Sequence, residues 1–435
     1  MEKILHIAVH MGGGVGKAIS GLCISSQDKY DNAVVLLEKP NDYFYVDKTR
    51  EQGISVHIMP GHRQLEKMIR KADIVIVNWW GHPLMAKWLQ NFPQILCRCM
   101  IWNHINGCSY PYLPASFLQC FAAVMFTSTY SYDNCLWSEL DREEIKNISD
   151  VVYGMGDFIP ARIKPKEEYA CGDKFIIGYV GTIDYAKINR KFLDYYSALI
   201  DEIPDITFCM LGHVSDEIQQ EIIDRNLQEY FDLPGYVSKT EEYMRSFDVF
   251  AYLLAADNYA TTENALLEAM AYGLPIVVLN NNVEKYIVQD DASGYIVNTM
   301  DDFKQKIRYL REEKNAARIG KSARKYVINE YSLENNMNRY YAVCENIIGK
   351  SKKVYDYTNI LGKDGFAAFM YFAQADGRKI QEAVNNNMLL NNVNPIFYGA
   401  YKGSVYQYLR YYAEDERLQH MAAYLQNQGK GNLIA

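Results

Sequence analysis

Two carboxylates, Glu263 and Glu268, stand five positions apart within D-N-Y-A-T-T-E-N-A-L-L-E-A-M-A-Y-G-L-P-I-V-V-L, residues 257–279. Thr261 or Thr262 is expected to cap a helix whose apolar residues include Ala265, Leu266, Ala269 and Met270. Gly273 ends that helix and Pro275 forbids its return, so residues 276–279, short, branched and apolar, suit a parallel strand buried on both faces. A capped helix start beside a buried strand offers backbone N–H groups to an anion such as a diphosphate, and Thr262, Asn264, Ala265 and Leu266 occupy that start. An ordinary surface helix carrying two exposed glutamates is the plain alternative.

A second set of reactive side chains follows predicted strands in the first half. His82, in N-W-W-G-H-P, comes after a strand at 74–77, and His104, in N-H-I-N-G-C-S-Y-P, after one at 96–102. Parallel sheets bind ligands beyond the carboxyl ends of their strands, so both imidazoles are expected at an open cleft. Trp79, Trp80 and Tyr110 are expected there as stacking surfaces for a sugar ring. A histidine satisfied within the core is the competing reading of each. Earlier, H-M-G-G-G-V-G-K-A follows a strand at 4–9, and its glycines let the backbone approach phosphate or sugar. It fails the P-loop spacing, because Gly12 is one residue too late and Ala18 follows Lys17. It fails the dinucleotide G-x-G-x-x-G pattern as well, because Lys17 stands in the last glycine's place.

N-A-L-L-E-A-M-A-Y-G-L-P-I-V-V resembles the donor-site helix of the retaining GT-B glycosyltransferases, family four. The resemblance implies that Glu268 binds the ribose of a sugar nucleotide. The family's second glutamate, eight residues earlier, is replaced by Ala260, and Glu263 is a carboxylate in a shifted place. G-T-I-D-Y-A-K, beginning at Gly181, is similar to the family's diphosphate turn, with Lys187 in the lysine position and Thr182 where an arginine is usual. By the same resemblance Gly13 and Gly14 approach the donor diphosphate and the acceptor, the segment at Val237 contacts the nucleotide base, and His104 lies near the reacting sugar. Catalytic parts are expected of His104 and Glu263. The implied reaction moves a sugar from a UDP- or GDP-linked donor to a glycan, a lipid-linked or another acceptor, with retention and without metal or other cofactor. Two alternatives stay open: a nucleotide-sugar epimerase of similar architecture, and a noncatalytic glycan-binding or partner subunit, which Ala260 and Thr182 favour.

The elements that must position these groups alternate strand and helix twice over. The expected fold is α/β, two Rossmann-like doubly wound domains facing across a cleft in GT-B architecture, plus a C-terminal helical extension. The first domain is placed at 1–155, a charged, turn-rich linker at 156–173, the nucleotide-sugar domain at 174–329, a closing helix returning to the first domain at 330–349, and an aromatic-rich helical extension at 350–435. A chain of 435 residues exceeds one ordinary core. Its net charge of -8 argues against nonspecific nucleic-acid binding. Nine cysteines, an odd number without paired C-x-x-C motifs, fit reduced thiols. No early apolar stretch reaches membrane-span length, so a cytoplasmic protein is expected. The basic helical stretch at 63–71 leaves peripheral membrane contact open beside simple packing on a sheet. The extension is a candidate for oligomer or partner contact.

Overall fold

The computed structural model describes residues 1–169, 173–237, 239–281, 283–390, 395–399 and 403–430. Parts of the expected linker (170–172, with Cys171), of L-P-G-Y-V-S (Ser238) and of the extension (391–394, 400–402 and 431–435) lie outside the described residues. The chain forms two compact units, one of Met1–Asp157, Tyr259–Thr261 and Asn336–Ala435, the other of Phe158–Asn258 and Thr262–Asn335.

In the first unit, seven strands run β1 (Glu2–Ala8), β2 (Tyr30–Leu36), β3 (Ser55–Ile58), β4 (Ile74–Trp79), β5 (Cys99–Asn103), β6 (Val124–Phe126) and β7 (Ser149–Val151). They pair in parallel in the order β3-β2-β1-β4-β5-β6-β7. The order reverses between β1 and β4, which opens a crevice at their carboxyl ends. All six residues of β4 and all five of β5 are buried, as strands covered by helices on both faces must be. The strand expected at 96–102 is shorter, because Cys97 leaves the sheet for an antiparallel bridge to Lys353. The basic helix His62–Lys71 buries Leu65 and Ile69 and packs against β1, so its apolar side is already covered.

The C-terminal helices also pack here. Gly365–Asn386 and Val405–Tyr411 lie against helix Pro83–Gln90. Gln90 Nε2 donates to Leu361 O and Asp364 O at 3.1 and 2.9 Å, and Tyr412 OH donates to Gln90 Oε1 at 2.8 Å. The buried tyrosines and phenylalanines of this stretch thus extend the first unit's core.

The second unit holds six parallel strands, β8 (Phe175–Val180), β9 (Ile206–Leu211), β10 (Phe231–Gly235), β11 (Val249–Tyr252), β12 (Ile276–Leu279) and β13 (Tyr295–Val297), in the order β10-β9-β8-β11-β12-β13. Its switch point lies between β8 and β11. From Phe158 to Tyr169 the stretch expected as linker is packed on this unit. Lys166 Nζ lies 3.4 Å from Asp248 with both side chains buried, and Tyr169 OH donates to Gly273 O at 3.0 Å. The eight cysteines among the described residues are free thiols. Among the described residues no helix is long and apolar enough to cross a membrane.

Candidate functional site

At the switch point of the second unit, β8 ends in a turn that only glycine can make. A Cβ on Gly212 would stand 1.8 Å from Gly181 O, so β8 and β9 close on one another only because that position is bare. The chain then folds back, with Lys187 N–H donating to Asp184 O at 2.9 Å and Lys187 O accepting from Ala255 N–H at 2.8 Å. These bonds tie Lys187 to the end of β11. Its ammonium lies 5.3 Å above the ring of Tyr252, the last residue of β11, and 3.5 Å from Glu263 Oε2. Tyr252 OH donates to the same oxygen at 2.6 Å, and the Tyr252 ring stacks on Tyr179 at 5.4 Å.

Glu263 sits at the N-cap of helix Asn264–Tyr272, and its side chain makes no capping bond. The threonines expected to cap the helix are buried and precede the cap position. The Glu263 carboxylate turns instead to Tyr252 and Lys187, with the backbone at φ 46° and ψ 62°. Glutamate rarely occupies this left-handed region, and such strain collects at functional sites. Leu266 N–H, expected among the anion donors, closes the first turn onto Glu263 O at 3.0 Å. Glu268 is half-buried further along the same helix, and Val237 is half-buried beyond β10.

Glu284, which the sequence reading missed, joins this cluster at the start of helix Glu284–Ile287 and is 1% exposed. Burial, and then the charge of Glu263, push its carboxyl well above the usual carboxylate range, against the pull of neighbouring backbone N–H groups and Lys187. One ammonium cannot balance two buried carboxylates, so the protonated form of Glu284 is favoured. Burial likewise raises Tyr252 far above its ordinary value, with Glu263 adding to the effect. Tyr252 therefore remains a donor. V-E-K-Y held no sequence signal for this role, because it depends on a partner 21 residues away that only the fold supplies.

In the first unit the glycine run is the first turn of a helix, Gly13–Ser25, capped by Gly12, where a loop was expected. Gly13 and Gly14 are exposed, with nothing within 4 Å of an added Cβ. His104 follows β5, and its Nε2 is 3.0 Å from Asn78 Oδ1. Asn78 Nδ2 donates to Ile7 O and Ile76 O at 3.2 and 3.4 Å, which fixes Oδ1 as the acceptor. The imidazole must therefore donate through Nε2, making Nδ1 the ring's acceptor.

The aromatic residues expected as stacking surfaces are core instead. Trp79, Trp80 and Tyr110 are 0%, 2% and 4% exposed. Trp79 packs on Phe117 and Phe372, and Tyr110 packs on Phe397 while its hydroxyl donates to Gly403 O. Helices of the extension thus cover faces that a sugar would need. His82, also buried, caps helix Pro83–Gln90 by accepting Leu84 N–H on Nδ1 at 3.2 Å.

Residues 162–326, which span most of the second unit, match the family described as Glycosyl transferases group 1. The second unit is a group 1 glycosyltransferase domain. The chain is 23% identical over 214 residues to the poly(ribitol-phosphate) alpha-N-acetylglucosaminyltransferase of Staphylococcus aureus, covering 47% of this chain and 42% of that protein. It is 22% identical over 176 residues to an Escherichia coli UDP-Gal:alpha-D-GlcNAc-diphosphoundecaprenol alpha-1,3-galactosyltransferase, covering 38% and 44%. The matches thus span less than half the length of these curated relatives. Among solved structures, a glycosyltransferase from Rickettsia africae superposes with a TM-score of 0.64 at 16% identity, over 80% of this chain and 99% of that one. The fold is the GT-B fold, two Rossmann-like sheets with helices and a C-terminal helical part.

Proposed function

We propose that this chain is a retaining, metal-independent glycosyltransferase that moves a sugar from a nucleotide-sugar donor to a glycan or lipid-linked acceptor at the membrane surface. The observation that carries the reading is the Lys187–Tyr252–Glu263 cluster, gathered at a helix start and at the switch point of a group 1 domain. Lys187 is 26% exposed whereas Glu263 is 2%, so the ammonium can turn to a diphosphate while the carboxylate stays in place. With the first-turn N–H groups of Asn264 and Ala265, it would stabilise the departing diphosphate, the charge work that a metal performs elsewhere. Glu268 would hold the ribose hydroxyls. The curated relatives act with a UDP-linked sugar or on phosphate-bearing glycan and lipid-linked acceptors, and their names motivate UDP donors and such acceptors here.

The test is release of UDP from a panel of labelled UDP-sugars with lipid-linked and polyol-phosphate acceptors, in chelator, with the product's anomeric configuration read by NMR. Transfer with retention is the expected result. Inversion, or a requirement for added divalent metal, would overturn the corresponding part. Ala260 and Thr182 support a second reading, a noncatalytic donor-binding subunit, which predicts saturable UDP-sugar binding without release of UDP under any acceptor.

A further inference from the structure

A basic stripe on the first unit has no part in the donor site. Helix His62–Lys71 turns Leu65 and Ile69 inward, and Arg63, Lys67, Arg70 and Lys71, at i, i+4, i+7 and i+8, form its exposed opposite face. The helix's one acid, Glu66, lies at the flank, with its Oε1 3.7 Å from His62 Nδ1. Because the sheet covers its apolar side, this helix meets any partner through its cations.

The stripe continues at the amino ends of β4 and β5. Lys352 Nζ donates to Ala72 O, just past the helix, at 2.9 Å, and Lys350 Nζ donates to Ala122 O at 3.1 Å. Arg98 Nε donates to Lys350 O at 2.6 Å, and its Nη1 donates to Asp73 O at 3.3 Å. All these acceptors are neutral backbone carbonyls. Among the described residues none of the lysines and arginines of the stripe is ion-paired with a carboxylate, so it keeps its positive charge in a chain whose net charge is -8.

Apolar side chains stand at both ends of the stripe. Cys97 and Lys353 exchange both backbone hydrogen bonds at 3.0 Å, and this antiparallel pairing sets Leu96 beside Val354, 59% and 45% exposed. At the other end Met59, which follows β3 and stands three residues before the helix, is 61% exposed. The helix between these ends is about 15 Å long. A free polyanion would use the cations alone and gain nothing from exposed leucine, valine and methionine. An anionic bilayer uses both, its phosphate headgroups for the cations and the acyl boundary for the apolar tips.

We propose that this face docks the protein on an anionic lipid surface, with the helix cations, Lys350 and Lys353 at the headgroups and Leu96, Val354 and Met59 inserted at the two ends. Met59 lies at the carboxyl end of the edge strand β3, the end at which the crevice between β1 and β4 opens. A lipid-linked acceptor would thus enter from the surface on which the protein rests.

This inference rests on the membrane-surface reading for its biological sense, but its test needs no turnover. Flotation of the full chain with vesicles of phosphatidylcholine, with and without phosphatidylglycerol, should show binding to the anionic vesicles alone, falling steeply with added salt. Arg70→Gln, Lys71→Gln and Lys353→Gln together should weaken it about a hundredfold, near fivefold for each charge. Leu96→Ser with Val354→Ser should weaken it about tenfold. Melting temperature and UDP affinity should stay unchanged in both variants. Absent binding to anionic vesicles, or wild-type binding by the folded charge variant, would overturn the docking face. Full vesicle binding by the folded Leu96→Ser, Val354→Ser variant would overturn it too, and poly-glutamate bound as tightly as the vesicles would assign the stripe to an acidic partner protein instead. Failure of the transferase reading shows as absent UDP release with every soluble acceptor while vesicle binding persists.

Discussion

Lys187 Nζ lies 3.5 Å from Glu263 Oε2, and the two side chains differ sharply in exposure, 26% against 2%. The pair is thus a buried anion held by a cation that still reaches solvent. Such a cation can exchange its intramolecular partner for a ligand at small cost, because Tyr252 OH keeps the carboxylate hydrogen-bonded at 2.6 Å. Lys187→Ala should weaken nucleoside diphosphate binding about ten- to hundredfold, the loss of a hydrogen bond to a charged group, and hardly change nucleoside binding. Calorimetric titration of UDP and uridine reads the difference. Parallel losses for both ligands would exclude a phosphate contact.

Glu263 and Glu268 should separate cleanly. Glu263→Ala strips Tyr252 of its acceptor and Lys187 of its counter-ion, so it should lower stability by about 2–3 kcal/mol, less than a fully buried pair because Lys187 is partly solvated. Glu268→Ala, half-buried on the helix surface, should leave the melting temperature nearly unchanged and weaken UDP-sugar binding about ten- to hundredfold. Matching melting curves for the two variants would contradict this division.

How far the sequence reached is visible in these same residues. Lys187 was legible through its resemblance to the lysine of the family's diphosphate turn, because a turn between strand and helix is short and its positions are countable. The partnership of Lys187 with Tyr252 and Glu263 was hidden, since it requires β8 and β11 to be neighbours and Glu263 to adopt a left-handed backbone that its residue type disfavours. Trp79, Trp80 and Tyr110 were misread for a related reason. Aromatic residues after a strand face ligand only if nothing else covers them, and Phe372 and Phe397, nearly 300 residues on, pack against Trp79 and Tyr110. Alternating apolar strands made the two sheets legible, whereas burial by a distant extension leaves no local pattern.

The buried carboxyl of Glu284 predicts a pH effect with a definite sign. Its folded-state value is raised above the ordinary 4.5 by burial and then by Glu263, so the folded protein holds a proton that the unfolded chain releases. Stability from this group is complete below 4.5 and falls as pH rises toward the folded value. Glu284→Gln, which keeps the shape without the titration, should match wild type at pH 4.5 and melt higher than wild type at pH 8. Thermal melts across that range test it, and a constant difference at all pH values would exclude the protonated state.

His6 should act in the opposite direction. It is fully buried in β1, and burial lowers its imidazole to about 3. Folding therefore requires the neutral ring, and its stability is intact above 6.5 and lost as pH falls through the range from 6.5 to about 3. The slope approaches about 1.4 kcal/mol per pH unit within that window. His6→Leu should flatten acid denaturation there by roughly one proton. An unaltered slope in urea titrations at pH 4 to 6 would rule out this origin.

His104 yields the most specific prediction for turnover. Its Nε2–H is committed to Asn78 Oδ1 at 3.0 Å, because Asn78 Nδ2 is held by Ile7 O and Ile76 O, so the neutral ring's acceptor is Nδ1. An accepting role requires the neutral ring, and transfer should fall on the acid side as His104 protonates. His104→Ala should lower turnover at saturating substrates by about ten- to a thousandfold, the range of positioning and proton-transfer groups, while UDP affinity stays near wild type. Asn78→Asp supplies the finer test. A carboxylate against Nε2–H favours the imidazolium, so the acid limb of the kcat profile should move to higher pH, even as turnover on the alkaline plateau persists. The variant also gives up the bonds to Ile7 O and Ile76 O, so melting curves must accompany the profiles. A folded Asn78→Asp protein with an unmoved acid limb would show that His104 does not work through Nδ1, and full activity in folded His104→Ala would remove it from catalysis altogether.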